Sequence, residues 1–182
     1  HLENPGKKRS DDYRYDLNYF KRYMIEWMEH YAPVSQMSLF YDNHDNPRML
    51  SKIDPEEKHR LVLAKLLALM QLTLKGTPFI YQGQELGMVN QNFKSIKDLR
   101  DVESLNLFSK LTKTLPEREA FQKVIVGSRD HARTPMQWTD DTFGGFSEVE
   151  PWIPMDEEHR SWNAEAQDRD PNSVLNFYRE LL

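Results

Sequence analysis

The chain has 182 residues, a formal net charge of −5 and no cysteine. The negative charge argues against a nucleic-acid partner, since no basic run extends beyond Lys7-Lys8-Arg9. Without cysteine, disulfides and thiolate metal sites are excluded, which fits a cytoplasmic protein. No stretch approaches the roughly 18 consecutive apolar residues of a membrane span, so we expect no membrane partner.

The first predicted elements are a polar loop and an amphipathic helix. Residues 1–9 are mostly polar, which indicates a loop. From Leu17 to Tyr31, apolar side chains recur at helical spacing and form one stripe. Asp16 or Asp12 is placed to cap this helix, and Pro33 is placed to end it.

A short apolar segment, Met37–Tyr41, follows and is typical of a buried strand. Polarity then rises sharply at Asn43, His44 and Asp45. A carboxylate and an imidazole directly after a strand suit a site at the carboxyl end of a parallel strand. The alternative is a structural loop built from Asx turns.

The next predicted element is a long helix over residues 55–74. Asp54 is its predicted N-cap, Pro55 takes the first helical position and Glu57 completes a capping box. Leucine and other apolar residues lie almost all round this helix, so we expect it to be covered on several sides. Gly76 is predicted to end it as a C′ glycine.

A second short apolar strand lies within residues 75–88 and also runs into polar residues and glycines. Two strands separated by one helix form a βαβ unit, and this predicts a parallel sheet.

The remainder of the chain is predicted to be mixed helix and loop. Residues 98–111 have the spacing of a helix, and Pro116 marks a break. Residues 128–154 resemble a loop, and a loop of this length in a compact domain is usually functional. A last helix opens at Asp170–Ser173.

Three separate segments carry a family resemblance. They are FYDNHDNPR at residues 40–48, GTPFIYQGQELGM at residues 76–88 and SRDHARTPMQW at residues 128–138. Together, and in this order, they resemble motifs of glycoside hydrolase family 13, the α-amylase family. Within the family they are most similar to the branch of oligo-1,6-glucosidases, dextran glucosidases and α-glucosidases.

The resemblance implies an α/β fold, a (β/α)8 TIM barrel of about 250 residues or more. Residues 1–182 would then be a partial catalytic barrel domain: the C-terminal part, with the last two strands and helices six to eight. The N-terminal barrel half, the inserted B domain and the C-terminal β-domain would lie outside this chain. We therefore expect that the rest of the barrel is needed in cis.

The resemblance also implies roles for four residues. Asp45 matches the third catalytic acid, which stabilises the transition state, and His44 matches a substrate contact in the −1 subsite. Arg129 matches an arginine that holds the 4-hydroxyl of the terminal glucose. Glu103 matches a glutamate that contacts the +1 sugar. No metal and no cofactor are expected.

Structural alternatives stand beside two of these assignments. Arg129 could form an ion pair with its neighbour Asp130 and have no role in binding. Glu103 could be a solvated carboxylate on a helix surface. Arg133 is interpreted as a structural residue. Lys7 or Lys8 falls near the position of a +1-subsite lysine, although a solvated loop lysine fits that position better.

The predicted function is that of part of a retaining α-glucosidase that acts on terminal, α-1,6 bonds of short gluco-oligosaccharides. The alternatives are a trehalose-6-phosphate hydrolase, a sucrose isomerase or transglycosylase, and a non-catalytic amylase-like binding subunit. The isolated chain should lack turnover, because the nucleophile and the acid/base are expected on earlier strands. We also expect it to associate through uncovered apolar faces.

Overall fold

The computed structural model describes residues 16–31 and 33–182. The loop predicted over residues 1–9, with Lys7 and Lys8, and the capping candidate Asp12 lie outside these ranges. Seven α-helices and two strands occur in the described residues, in the order α1 Leu17–His30, β1 Ser38–Leu39, α2 Met49–Ile53, α3 Arg60–Thr73, β2 Thr77–Pro78, α4 Val102–Leu111, α5 Glu117–Ile125, α6 Ala164–Arg169 and α7 Val174–Leu181. Short 3₁₀ turns occupy Ile96–Asp98, Arg129–Ala132 and Glu157–Arg160.

The sheet is parallel, as predicted, with Ser38 opposite Thr77 and Leu39 opposite Pro78. Each strand has only two residues, fewer than the segments predicted from the sequence. Proline has no N–H to donate, and this limits the ladder on the β2 side. The buried Gln71 of α3 lies across the end of the sheet, where its Nε2 donates to Leu39 O at 2.8 Å and to Phe79 O at 2.9 Å.

The prediction for α1 is confirmed. Asp16 is its N-cap, and its carboxylate accepts from the backbone N–H groups of Asn18 and Tyr19 at 2.9 and 3.2 Å. This contact satisfies donors that the first turn of a helix leaves free. The buried Phe20 is part of the apolar stripe and lies 6.1 Å from the ring of Tyr41, beyond β1.

The helix predicted over residues 55–74 is wrong at its start. Asp54 is the C-cap of the short helix α2, and α3 begins only at Arg60. Glu57 has a φ of 56°, in the left-handed region, so it cannot occupy the first turn of a helix. The Asp54 carboxylate instead accepts from the backbone N–H of His59 at 2.7 Å.

Gly76 does not end α3 as predicted. The C-cap is Leu74, which places Gly76 beyond the C′ position. A Cβ at residue 76 would lie 2.7 Å from Leu39 Cγ and 2.8 Å from Met37 O. Glycine is therefore required at this position because the two strands approach each other closely.

Several predicted boundaries change in the second half of the chain. Helix α4 begins at Val102, with Asp101 as N-cap, rather than at residue 98. Helices α5 and α6 were not predicted, whereas α7 begins where predicted, with Ser173 as its N-cap. The segment 128–154 is irregular, as expected, apart from the turn Arg129–Ala132.

The main core lies between α2, α3 and α7 and is formed by Met49, Leu50, Leu63, Ala64, Leu67, Ala68, Val174 and Tyr178. Only one face of α3 is covered within the described residues. On the other face, Val62, Leu66 and Leu69 are 70%, 47% and 42% exposed. Among the described helices, none is both long and apolar enough to cross a membrane.

Candidate functional site

A buried ion pair anchors the loop that follows β1. Arg48 is fully buried, and its Nη1 lies 3.4 Å from Asp42 Oδ2 and donates to Gln82 O at 2.8 Å. The other Asp42 oxygen accepts from the backbone N–H of Met49 at 2.8 Å. Burial raises the pKa of Asp42 despite the opposing charge of Arg48. The loop between these residues therefore has fixed ends.

His44 and Asp45 lie at the exposed crest of this loop. His44 Nε2 is 3.3 Å from Asp45 Oδ2, and the two side chains are 70% and 50% exposed. The side-chain oxygen of Asn43 accepts from Asp45 N at 2.9 Å and from Asn46 Nδ2 at 3.0 Å. The Asx turn considered as an alternative is thus present, and it presents the imidazole and the carboxylate together.

Two arginines from the segment 128–138 approach Asp45. Arg133 Nη2 lies 3.2 Å from Asp45 Oδ1, and its Nε donates to His44 O at 2.9 Å. Arg129 Nη1 lies 3.5 Å from the same Asp45 oxygen. Residues that are more than 80 positions apart in the sequence are therefore brought into one charged cluster.

Arg129 is held on its other side by Asp101, the N-cap of α4. Its Nε donates to Asp101 Oδ1 at 2.9 Å, and its Nη2 contacts the same oxygen. The alternative of an Arg129–Asp130 pair is wrong within the described residues, since the ion-pair partners of Arg129 there are Asp45, Asp101 and Glu103. Hydrogen bonding to Asp101 raises the pKa of Arg129.

The charge state of Asp101 follows from its contacts. Burial opposes its ionisation, but hydrogen bonds from Arg129 and Ser104 outweigh that effect and lower the pKa of Asp101 to about 2. The carboxylate is therefore ionised at neutral pH.

Glu103 lies at the edge of the cluster. It occupies the first turn of α4, its side chain is 62% exposed, and Oε2 is 3.9 Å from Arg129 Nη2. Glu103 therefore lies beside Arg129 in the structure. Its side chain is largely exposed, which also fits the alternative that it is a solvated carboxylate.

The fully buried Asp130 fixes the segment that carries both arginines. Its Oδ2 accepts from the backbone N–H groups of Arg100 and Asp101 at 2.6 and 2.8 Å. Its Oδ1 lies 3.8 Å from Arg133 Nη1. Tyr81, after β2, donates its hydroxyl to Ala132 O at 3.0 Å. The segment is therefore attached to both α4 and the end of the sheet.

Sequence reasoning missed two members of the cluster. The sequence pattern does not indicate that Asp101 belongs to the cluster, although its position before a helical segment is typical of an N-cap. Arg133, which the sequence predicts to be structural, contacts both His44 and Asp45. No local pattern reveals that contact, because it joins segments that are distant in the sequence.

The cluster has the chemistry of a site that binds hydroxyl groups. An exposed carboxylate can accept two hydroxyl hydrogen bonds, while imidazole and guanidinium groups donate. Within residues 16–31 and 33–182, no group of three or more His, Cys, Asp or Glu side chains is placed to hold a metal ion.

Comparison with known proteins shows which family the chain resembles. The family model of the alpha-amylase catalytic domain matches residues 2–182. The oligo-1,6-glucosidase of Parageobacillus thermoglucosidasius is 40% identical over 164 residues, which cover 89% of this chain and 29% of that protein. The chain thus spans about a third of the length of the curated relatives it matches.

Solved structures agree with this relationship. The trehalose-6-phosphate hydrolase of Bacillus licheniformis superposes on this chain with a TM-score of 0.92 at 37% sequence identity. The superposed region covers 99% of this chain and 33% of the hydrolase chain. The isomaltulose synthase of Erwinia rhapontici superposes with a TM-score of 0.82 at 37% sequence identity. The superposed region covers 92% of this chain and 31% of the synthase chain. These neighbours imply that the helix-rich structure with two strands is a fragment of a TIM barrel. The chain belongs to the alpha-amylase catalytic domain family, glycoside hydrolase family 13.

Proposed function

We propose that this chain is the C-terminal part of the (β/α)8 barrel of a retaining α-glucosidase. It would contribute the last two strands, with helices six to eight. The observation that carries the proposal is the meeting of His44, Asp45 and Arg129 after the carboxyl end of β1, with Arg129 Nη1 3.5 Å from the Asp45 carboxylate. TIM-barrel enzymes assemble their active sites at this end of the strands.

In the proposed mechanism, hydrolysis with retention uses two carboxyl groups about 5 Å apart, a nucleophile and an acid/base. Both are expected on earlier strands of the barrel. Asp45 binds two hydroxyls of the distorted sugar in the −1 subsite and strengthens these contacts as the ring flattens towards the oxocarbenium-like transition state. His44 donates to a hydroxyl of the same sugar.

Arg129 gives the proposed enzyme its preference for chain ends. A guanidinium is rigid, permanently charged and rich in donors, so it can hold the 4-hydroxyl of a terminal glucose. A longer chain cannot extend past a hydroxyl that is held in this way. Glu103, 3.9 Å from Arg129 on the exposed side, is proposed to contact the +1 sugar.

The proposal requires the rest of the barrel in cis, and two features support this. The uncovered face of α3 carries Val62, Leu66 and Leu69, which favour a covering partner. A cavity of about 410 Å³ lies between α1 and β1 and is lined by apolar and aromatic side chains that include Trp27, Leu39 and Phe40. A further parallel strand would fill it. A cytoplasmic location is part of the proposal, and fractionation of the native cells tests it.

The proposed substrates are short α-1,6-linked gluco-oligosaccharides such as isomaltose. Relatives named oligo-1,6-glucosidase support this choice. Relatives and solved structures named trehalose-6-phosphate hydrolase and isomaltulose synthase favour the second candidate, a same-family enzyme acting on trehalose 6-phosphate or sucrose. A non-catalytic binding subunit is less favoured, because His44, Asp45 and Arg129 are all present.

The test compares the activity of the full-length natural gene product on three substrates, isomaltose, trehalose 6-phosphate and sucrose. Release of glucose from isomaltose above the other two supports the proposal. Preferred cleavage of trehalose 6-phosphate, or isomerisation of sucrose, assigns the second candidate instead. No turnover of any of the three contradicts both. The isolated 182-residue chain is expected to be inactive in the same assay.

A further inference from the structure

The Asp101 carboxylate is buried and hydrogen-bonded at both oxygens. It is 2% exposed, its Oδ1 accepts from Arg129 Nε at 2.9 Å, and its Oδ2 accepts from Ser104 Oγ at 2.8 Å. Its own backbone N–H donates to the buried Asp130 at 2.8 Å. Both the backbone and the two oxygens of Asp101 are therefore fixed before any ligand arrives.

The hydrogen bonds to Asp101 determine which edge of the Arg129 guanidinium is left to contact a substrate. Nε and Nη2 are both used on Asp101 Oδ1, while Nη1 lies 3.5 Å from Asp45. A free arginine side chain has many rotamers, and holding it on one edge removes most of them. The third nitrogen is thereby directed at the Asp45 carboxylate.

The other carboxylates near Arg129 restrain its side chain less than Asp101 does. The Asp45 and Glu103 side chains are 50% and 62% exposed, and their oxygens are 3.5 and 3.9 Å from the guanidinium. Pairs that are open to solvent restrain long side chains weakly. Asp101 is the buried partner, and its lowered pKa keeps it charged across the working range of most enzymes.

We infer that Asp101 is a positioning residue, which orients Arg129 so that one guanidinium edge faces the sugar bound at Asp45. This inference rests on the proposed function, because it assigns Asp101 to the same substrate site. It predicts that the charge of Asp101 contributes to substrate recognition only through Arg129.

A purely structural role as the N-cap of α4 can be separated from positioning. Asparagine caps helices about as well as aspartate, so Asp101→Asn keeps the cap and removes the charge that holds Arg129. Asp16→Asn is the matched control: Asp16 is also an N-cap carboxylate, on α1, and it is not part of the site.

The experiment is a double-mutant cycle in the full-length gene product, with Asp101→Asn, Arg129→Met and the double variant. The amide oxygen of Asp101→Asn can still accept from Arg129 but carries no charge. Loss of the charge predicts a fall of about five- to thirtyfold in kcat/KM for isomaltose when Asp101 alone is changed. In the Arg129→Met background the same change should cost less than about twofold. Asp16→Asn should leave kcat/KM unchanged.

Thermal unfolding provides a readout that does not depend on activity. Arg129→Met leaves the buried Asp101 carboxylate without its cation, so adding Asp101→Asn should raise the Tm of that variant. In the wild-type background, Asp101→Asn should lower the Tm. If Asp101→Asn alone does not fold, Ser104→Ala loosens the same carboxylate and should lower kcat/KM about threefold or more, again only when Arg129 is present.

Two results would overturn the inference: a kcat/KM for Asp101→Asn within about twofold of wild type, or equal losses in both backgrounds. If the wild-type protein turns over none of the three substrates, the proposed function fails, and the Tm cycle still reports whether Asp101 holds Arg129. Equal decreases in Tm in both backgrounds would then refute that coupling as well.

Discussion

Replacement of Arg133 by methionine tests how strongly the position of Asp45 depends on its neighbours. The arginine donates to His44 O at 2.9 Å, contacts Asp45 Oδ1 at 3.2 Å and lies 3.8 Å from the buried Asp130 Oδ1. Methionine preserves most of the apolar stem and removes all donors, so the change isolates the guanidinium contacts.

The magnitude follows from these contacts. Each charge-assisted hydrogen bond contributes about 1.5–3 kcal/mol when buried and nearer 1 kcal/mol when solvent has access. Arg133 is 23% exposed and Asp45 is 50% exposed, so the bonds to His44 O and Asp45 together should contribute about 2 kcal/mol. Loss of the cation 3.8 Å from the buried Asp130 adds to the loss of stability in urea. If these bonds alone hold Asp45 in its working orientation, the fall in kcat/KM reaches at most about thirtyfold, which is the whole ~2 kcal/mol.

The assay is steady-state hydrolysis of isomaltose by the full-length gene product, together with its unfolding in urea. Arg169→Met is the matched control, because Arg169 is 73% exposed and pairs with Glu165 within α6. The control should change neither kcat/KM nor stability by more than about 0.5 kcal/mol. A folded Arg133→Met variant with kcat/KM within about twofold of wild type would refute the reasoning.

Three further predictions concern stability, each measured by urea unfolding of the full-length gene product. Burial lowers the pKa of His131 from 6.5 to about 4, so on acidification the unfolded chain takes up the proton first. The free energy of unfolding should therefore fall as the pH drops from 6.5 to 4, by about 3 kcal/mol more than in His131→Gln. Parallel pH profiles of the two proteins would contradict this. Gly76→Ala places a Cβ 2.7 Å from Leu39 Cγ and should cost about 1–3 kcal/mol; an unchanged midpoint would show that the strands can separate. Gln71→Leu removes the donor to Leu39 O and Phe79 O. Leu39 O keeps the backbone N–H of Phe79, so the change should cost about 1–3 kcal/mol, and a neutral result would show that Phe79 O finds another partner.

The elements that the sequence predicted well are those with a local signal. Apolar periodicity predicted α1, with Asp16 or Asp12 as its cap. The run Asp170–Ser173 predicted the start of α7, and the two apolar segments predicted a parallel pair of strands. The start of α3 was mispredicted because Asp54 and Glu57 resemble a capping box but belong to the turn after α2. In that turn, Glu57 has a positive φ and the Asp54 carboxylate accepts from the backbone N–H of His59.

In the candidate site, too, some residues could be predicted from the sequence and others could not. Position after a strand singles out His44 and Asp45 but leaves a structural Asx-turn loop as an alternative, and the proposed roles of His44, Asp45, Arg129 and Glu103 follow from the family resemblance. The Arg133 contacts could not be identified from spacing, because they span 88 and 89 positions of the sequence. Burial of Asp101 depends on how α4 packs against the segment 128–138, and periodicity does not report that packing.

In the proposed function, Asp45 acts directly on a sugar in the −1 subsite. The most direct measurement is kcat for isomaltose hydrolysis by the full-length gene product and by its Asp45→Asn variant, with circular dichroism as a check on folding. Loss of a group that acts in the transition state predicts a fall in kcat of about a hundred- to a thousandfold in a folded variant. A folded Asp45→Asn variant that keeps kcat within about twofold of wild type would contradict the account.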